Sequence, residues 1–166
     1  MLKDVHRLLE RHPAYEIDGG FGRVTLEELH ADVIRYELPF NVPDDVQRSF
    51  DAASHAYIYS YFSYDLLTPA MGQLFACLEL ALRKYFGNIW DGKSRPPGLF
   101  DMLDDAKRQG LILSNASVVH KIRNVFQHGT DATIDPNIFL GMLEKVTTLL
   151  RELYDPARAA DDRAVS

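Results

Sequence analysis

Apolar residues recur every three to four positions along most of this chain, which is the spacing of one face of an α-helix. The broadest face lies between residues 70 and 86, where Met71, Leu74, Phe75, Leu78, Leu82, Tyr85 and Phe86 align and Leu80 and Ala81 widen the stripe. So wide a stripe predicts a helix buried at the centre of a bundle, ended by Gly87. Upstream, Val46, Phe50, Ala53 and Tyr57 share one face behind Asn41-Val42-Pro43-Asp44-Asp45. Proline at the first helical position and acids in the first turn both suit N–H groups that lack helical partners. Pro69 is expected to separate these two helices. Three more are predicted: Gly98 to Gln109, stopped by Gly110; Ser114-Asn115 to His128, before Gly129; and Asp135-Pro136 to about Tyr154, carrying Ile138, Leu140, Met142, Leu143, Val146, Leu149 and Leu150.

The N-terminal part is less regular. Leu2, Val5, Leu8 and Leu9 predict a short helix over residues 2–11, stopped by His12-Pro13. Asp18-Gly19-Gly20-Phe21-Gly22 is a turn or loop. Thr25 followed by Glu28 has the spacing of a capping box and predicts a short helix from Leu26 to Ile34. Arg35 to Pro39 reads as extended. Residues 14–42 are therefore expected to form an arm packed on the bundle, and the small, charged tail from Asp155 to Ser166 to be flexible. The expected fold class is all-α: a helical bundle of four to five core helices over residues 43–154, an N-terminal helix and irregular arm over 1–42, and a tail over 155–166.

Composition narrows the functions available. With 166 residues, 46% hydrophobic and 25% charged, the chain has the makeup of one ordinary globular domain. It contains no run of about 18 uncharged apolar residues, so no membrane span is expected, and its first residues lack the continuous apolar segment of a signal peptide. Cys77 is the single cysteine, which excludes an internal disulfide and a multi-cysteine zinc site and reads as a buried small hydrophobe in a reducing, cytoplasmic setting. No carboxylate and histidine cluster has metal-ligand spacing, and the glycine-rich stretch lacks the Lys-Ser/Thr of a phosphate loop, so no metal and no cofactor is expected. A net charge of −6 argues against a nonspecific nucleic-acid coat. Between Arg83 and Arg123, however, eight basic residues against four aspartates give +4 locally and leave −10 for the remainder.

The helix expected over residues 115–128 carries the most chemistry. Val118, Ile122 and Val125 form a core stripe with Val119 and Phe126 beside it, while His120, Arg123, Asn124, Gln127 and His128 lie off it. Asn124 and His128, four apart, can touch. Arg123 and His128, five apart, are about 140° apart around an ideal helix. They converge only if the last turn deforms or a partner chain completes the site. The plain reading is the wet face of an amphipathic helix. Yet this face carries His, Arg, Asn and Gln rather than the usual Lys/Glu mixture, a set suited to binding and proton transfer, and it ends at a glycine that permits a sharp turn. Elsewhere, Glu79 and Arg83 are spaced for an intrahelical ion pair, and a buried Glu79 could brace the motif helix. Tyr57, Tyr59, Tyr61, Phe62 and Tyr64 are aromatics for a core or dimer seam before they are a stacking platform. His6, His12, His30 and His55 have no evident partners in the sequence.

The string Ile122-Arg123-Asn124-Val125-Phe126-Gln127-His128-Gly129 resembles the Arg-x-x-x-x-His motif of HEPN domains, the "higher eukaryotes and prokaryotes nucleotide-binding" helical family. Glu79-Leu80-Ala81-Leu82-Arg83 resembles that family's glutamate-bearing helix, and Phe100 to Ile112 the helix preceding its motif helix; the resemblance covers roughly residues 43–154. It implies a metal-independent endoribonuclease, a homodimer whose motifs meet across the interface, and a toxin–antitoxin or phage-defence setting with an antitoxin partner. Carried onto this chain, Arg123 would hold the scissile phosphate, His128 would transfer the proton, and Asn124 would orient His128 or contact phosphate. His120, Lys121 and Gln127 would contact the substrate, and Glu79 would support the motif helix. The alternative is a non-catalytic HEPN-like module that binds nucleotide, RNA or a protein partner.

Overall fold

Six α-helices and no strand occur among the described residues of the computed structural model, which are 3–15, 24–87, 97–127, 134–155 and 157. The helices are α1 (Leu26–Ile34), α2 (Asp44–Tyr59), α3 (Leu67–Phe86), α4 (Leu99–Arg108), α5 (Ser117–Gln127) and α6 (Pro136–Tyr154). The protein is thus all-α, as expected.

Several boundaries are set by caps visible in the sequence. Thr25 Oγ1 accepts from the Glu28 amide at 3.2 Å while Glu28 Oε2 accepts from the Thr25 amide at 2.7 Å, closing the predicted capping box. Asp135 Oδ1 accepts from the amides of Asn137 and Ile138 at 2.8 and 3.1 Å, with Pro136 in the first helical position. Gly87 ends α3 at φ 55°. Past α4, Gly110 adopts φ 70°, and the amides of Gly110 and Leu111 turn back to the carbonyls of Lys107 and Ala106 at 3.0 and 2.9 Å. This paired closure needs the left-handed conformation that glycine adopts at least cost.

Two proline-marked starts shift slightly. Pro43 is the residue before α2 rather than its first. Pro69 does not divide the helices but sits inside the first turn of α3, which begins at Leu67. An amide is not needed there, so proline is accommodated. The predicted N-terminal helix is a larger correction: only a single 3₁₀ turn, Val5–Arg7, forms, and Val5, Leu8 and Leu9 are exposed. A helix this short persists only when tertiary packing covers its apolar face. The segment is instead pinned at its ends, where Lys3 Nζ donates to the Phe62 carbonyl at 2.8 Å and the His12 amide donates to the Tyr61 carbonyl at 2.7 Å.

Helix α3 is the element against which α2, α4, α5 and α6 pack. By length and composition the stretch Tyr64–Phe86 could cross a membrane, at a mean hydropathy of 1.2, but Leu67, Met71, Leu74, Leu78 and Leu82 are buried in the protein's own core. The predicted α2 stripe of Val46, Phe50, Ala53 and Tyr57 is buried as well. Tyr57 stacks on Phe139 of α6, ring centroids 4.8 Å apart. Tyr154 Oη donates to the Ala81 carbonyl at 2.8 Å, tying the end of α6 to α3. Leu29 and Val33 of α1, together with Tyr15, join the same core. Of the aromatic run, Tyr61 and Tyr64 pack on Tyr15, whereas Tyr59 is exposed.

Candidate functional site

The register of α5 decides what Arg123 can do. Val119 is fully buried, Ile122 packs against the core as expected, and Val118 is 45% exposed, so the face turned to the core runs through Val119 and Ile122 rather than Val118. Arg123, four residues after Val119, therefore stands at the edge of the buried face. It meets Glu79 of α3. Arg123 Nη2 lies 3.6 Å from Glu79 Oε2, with side chains 23% and 28% exposed. The other carboxylate oxygen, Oε1, accepts from Arg83 Nη2 at 2.8 Å and Nε at 3.3 Å, and Arg83 also donates to the Pro97 carbonyl at 3.1 Å.

One carboxylate thus serves two guanidinium groups from different helices. A cation taken partly out of water needs a counter-charge, and Glu79 supplies it to Arg123 at a distance beyond hydrogen-bonding range. The guanidinium is held in place while its N–H donors remain able to meet a further anion.

Lys121 is exposed on α5. His120, Asn124 and Gln127 lie on the same helix, but their side chains, and all of His128 and Gly129, fall outside the described residues. The structure brings Glu79 and Arg123 together. The relation of Arg123 to His128 lies outside what it describes.

Among the described residues, the local basic excess is largely paired. Besides Arg83 and Arg123, Lys84 Nζ meets Asp45 Oδ2 at 2.7 Å, and Arg108 bridges Asp104 at 3.2 Å and also Asp105. The hydrogen bond from Lys84 holds the Asp45 carboxyl below its ordinary range. Glu79 and Asp45 come from outside the basic stretch, which is why the sequence count overstates the positive surface. Lys84, Lys107, Arg108 and Lys121 are its exposed cations among the described residues, and of these Lys84 and Arg108 are the ones in ion pairs.

One residue the sequence did not flag is Glu152, only 4% exposed near the end of α6. Its carboxylate accepts from the Leu113 and Ser114 amides at 3.0 and 3.1 Å and from Ser114 Oγ at 2.8 Å. It anchors the segment that leads into α5, whose first amide donates to Asn115 Oδ1 at 2.9 Å. The available signal was an acid falling among Leu149, Leu150 and Leu153 on the apolar side of α6.

Cys77 is buried, its Sγ lies 3.5 Å from the Val46 carbonyl, and burial pushes its thiol up to about 12, as suits a packing residue rather than a nucleophile. Among the described residues, no group of three or more His, Cys, Asp or Glu side chains is placed to hold a metal ion. No family model matches the chain, and neither a curated protein nor a solved structure is significantly similar to it.

Proposed function

We propose that this chain is a HEPN-type, metal-independent endoribonuclease that works as a homodimer, with Arg123, Asn124 and His128 at the reacting phosphate. The observation that carries the proposal is the placement of Arg123: half-buried, on the helix bearing the motif, and fixed by Glu79 across α3 and α5. A positioned guanidinium is suited to a phosphate whose charge grows during reaction. In the proposed reaction the RNA 2′-oxygen attacks phosphorus, a 2′,3′-cyclic phosphate forms and the 5′-oxygen leaves. One proton leaves the 2′-hydroxyl and one reaches the departing oxygen, and His128 handles one of these transfers. His120, Lys121 and Gln127 contact the RNA strand. A toxin–antitoxin or phage-defence role is the setting in which such a cutter is held in check by a partner.

One observation favours a second reading. Arg83, Lys84, Arg108 and Arg123 are each paired with an acid, which leaves a small basic footprint on a chain of net charge −6. A non-catalytic HEPN-like module binding nucleotide, RNA or a protein partner fits that footprint.

The deciding experiment is cleavage of single-stranded RNA in EDTA by the purified full chain, with Arg123→Ala and His128→Ala beside it. A ribonuclease of this type cuts in EDTA and loses activity in both variants, and light scattering finds a dimer. Activity that survives both substitutions overturns the site. Salt-dependent RNA binding without any cleavage product selects the second reading.

A further inference from the structure

Away from α5, a groove of about 470 Å³ opens between α1, the non-helical residues that follow it, and α2. Its α2 wall is a single helical stripe of Gln47, Phe50, Ser54 and Ile58 with Asp51 and His55 beside it. Phe50 and Val33 are buried beneath it and form an apolar floor with half-buried Ile58 and Leu38. The rim is polar: it carries the carboxylates of Asp51 and Glu37 together with His30 and His55 and no lysine or arginine, while Arg151 Nη2 donates to the Glu37 backbone carbonyl at 3.2 Å and leaves the carboxylate to the rim.

The nearby Arg35 is already engaged, 4.0 Å from Asp32 and 5.1 Å from the centre of the Tyr36 ring. Gln47 Nε2 donates to Asp51 Oδ1 at 2.9 Å, which orients that carboxylate and leaves Oδ2 for another donor. Ser54 and His55 add groups that can share an ammonium's remaining N–H bonds.

The groove mixes polar and apolar lining in similar measure, and a concave space of this size with convergent polar groups above an apolar floor can hold a small molecule. The two carboxylates select the ligand. We infer that this groove binds a small organic amine with an aromatic or branched apolar body, its ammonium set between Asp51 and Glu37 and its body on Phe50, Val33 and Ile58. The groove lies on helices that carry none of the residues proposed for RNA cleavage, and the inference does not rest on that proposal.

The test is an amide NMR titration of the full chain with phenethylamine, 2-phenylethanol and 3-phenylpropionate, which share a body and differ in charge. The amine should give saturable shifts along residues 47–58, the alcohol should bind more weakly, and the acid should not bind. Asp51→Asn and Glu37→Gln are surface changes that spare the fold. Each should weaken the amine by up to about fivefold at low salt, the strength of an exposed ion pair, and leave the alcohol unchanged. Ser54→Arg, which places a cation in the groove, should remove amine binding while the circular dichroism stays helical. Equal affinity for amine and acid, an amine affinity indifferent to both carboxylate substitutions, or no saturable shift with any probe overturns the inference.

Discussion

Arg123 of α5 stands 3.6 Å from Glu79 of α3, and Glu79 holds Arg83 with its other oxygen. The two arginines lie 40 positions apart in the chain, and a single carboxylate fixes both. With Arg123 and Glu79 only 23% and 28% exposed, their attraction is stronger than a fully solvated pair and weaker than a buried one. A double-mutant cycle of Glu79→Gln and Arg123→Gln, followed by urea unfolding, should give a coupling of about 0.5–1 kcal/mol. A coupling of zero would mean that the contact does not position Arg123.

Glu152 is a different kind of acid, because it is itself buried and three part-buried donors converge on its carboxylate. Glu152→Ala leaves the Leu113 and Ser114 amides and the Ser114 hydroxyl without their acceptor and should cost about 3 kcal/mol. Glu152→Gln keeps one acceptor oxygen and should cost less. Hydrogen exchange gives the local readout: in Glu152→Ala the amides of residues 113 and 114 should lose protection before the core of α3 does. Unchanged exchange there would remove the anchoring role.

The register of α5 makes a prediction between neighbours. Val119 is fully buried and Val118 is 45% exposed. Val119→Ala should destabilise by about 2 kcal/mol, and Val118→Ala by no more than about 0.5 kcal/mol. The reverse order in thermal or urea unfolding would restore the stripe expected from sequence.

Asp45 and Lys84 should make stability depend on pH in a definite direction. The hydrogen bond from Lys84 lowers the folded-state pKa of Asp45 below its unfolded value. The unfolded chain therefore takes up the proton first as pH falls, and the stabilisation, present at neutral pH, is lost as pH drops through the folded value. Asp45→Asn should be less stable than the parent at neutral pH. The difference should close well below the ordinary carboxylate pKa of about 3.9, as read from urea midpoints across an acid series. A gap that widens on acidification contradicts the assignment.

Much of the fold was legible because its determinants are local. The reciprocal bonds of Thr25 and Glu28, the Asp135-Pro136 start and the stops at Gly87 and Gly110 each operate within a few residues, so sequence spacing reports them directly. The N-terminal stripe failed for the opposite reason. Spacing shows that Val5, Leu8 and Leu9 could share a face, yet only tertiary structure shows that all three are left exposed. In α5, adjacent valines left two registers about 100° apart, and packing against α3 chose between them.

At the site, Glu79 and Arg83 were readable as an intrahelical pair, and a bracing role for Glu79 followed only if it proved buried. The partnership with Arg123 joins residues distant in the chain, which no local spacing encodes. The same holds for Glu152, and for His30 and His55, which come from separate helices to line one groove.

The anchor of α5 also has a direction in time. Leu113 precedes its acceptor Glu152 by 39 residues, and synthesis adds roughly 5–20 residues per second. The segment leading to Arg123 is therefore made roughly 2–8 s before the carboxylate that fixes it exists. On the ribosome, the segment leading into the motif helix, like the faces of α2 and α3 that pack on α6, waits for α6 to be translated.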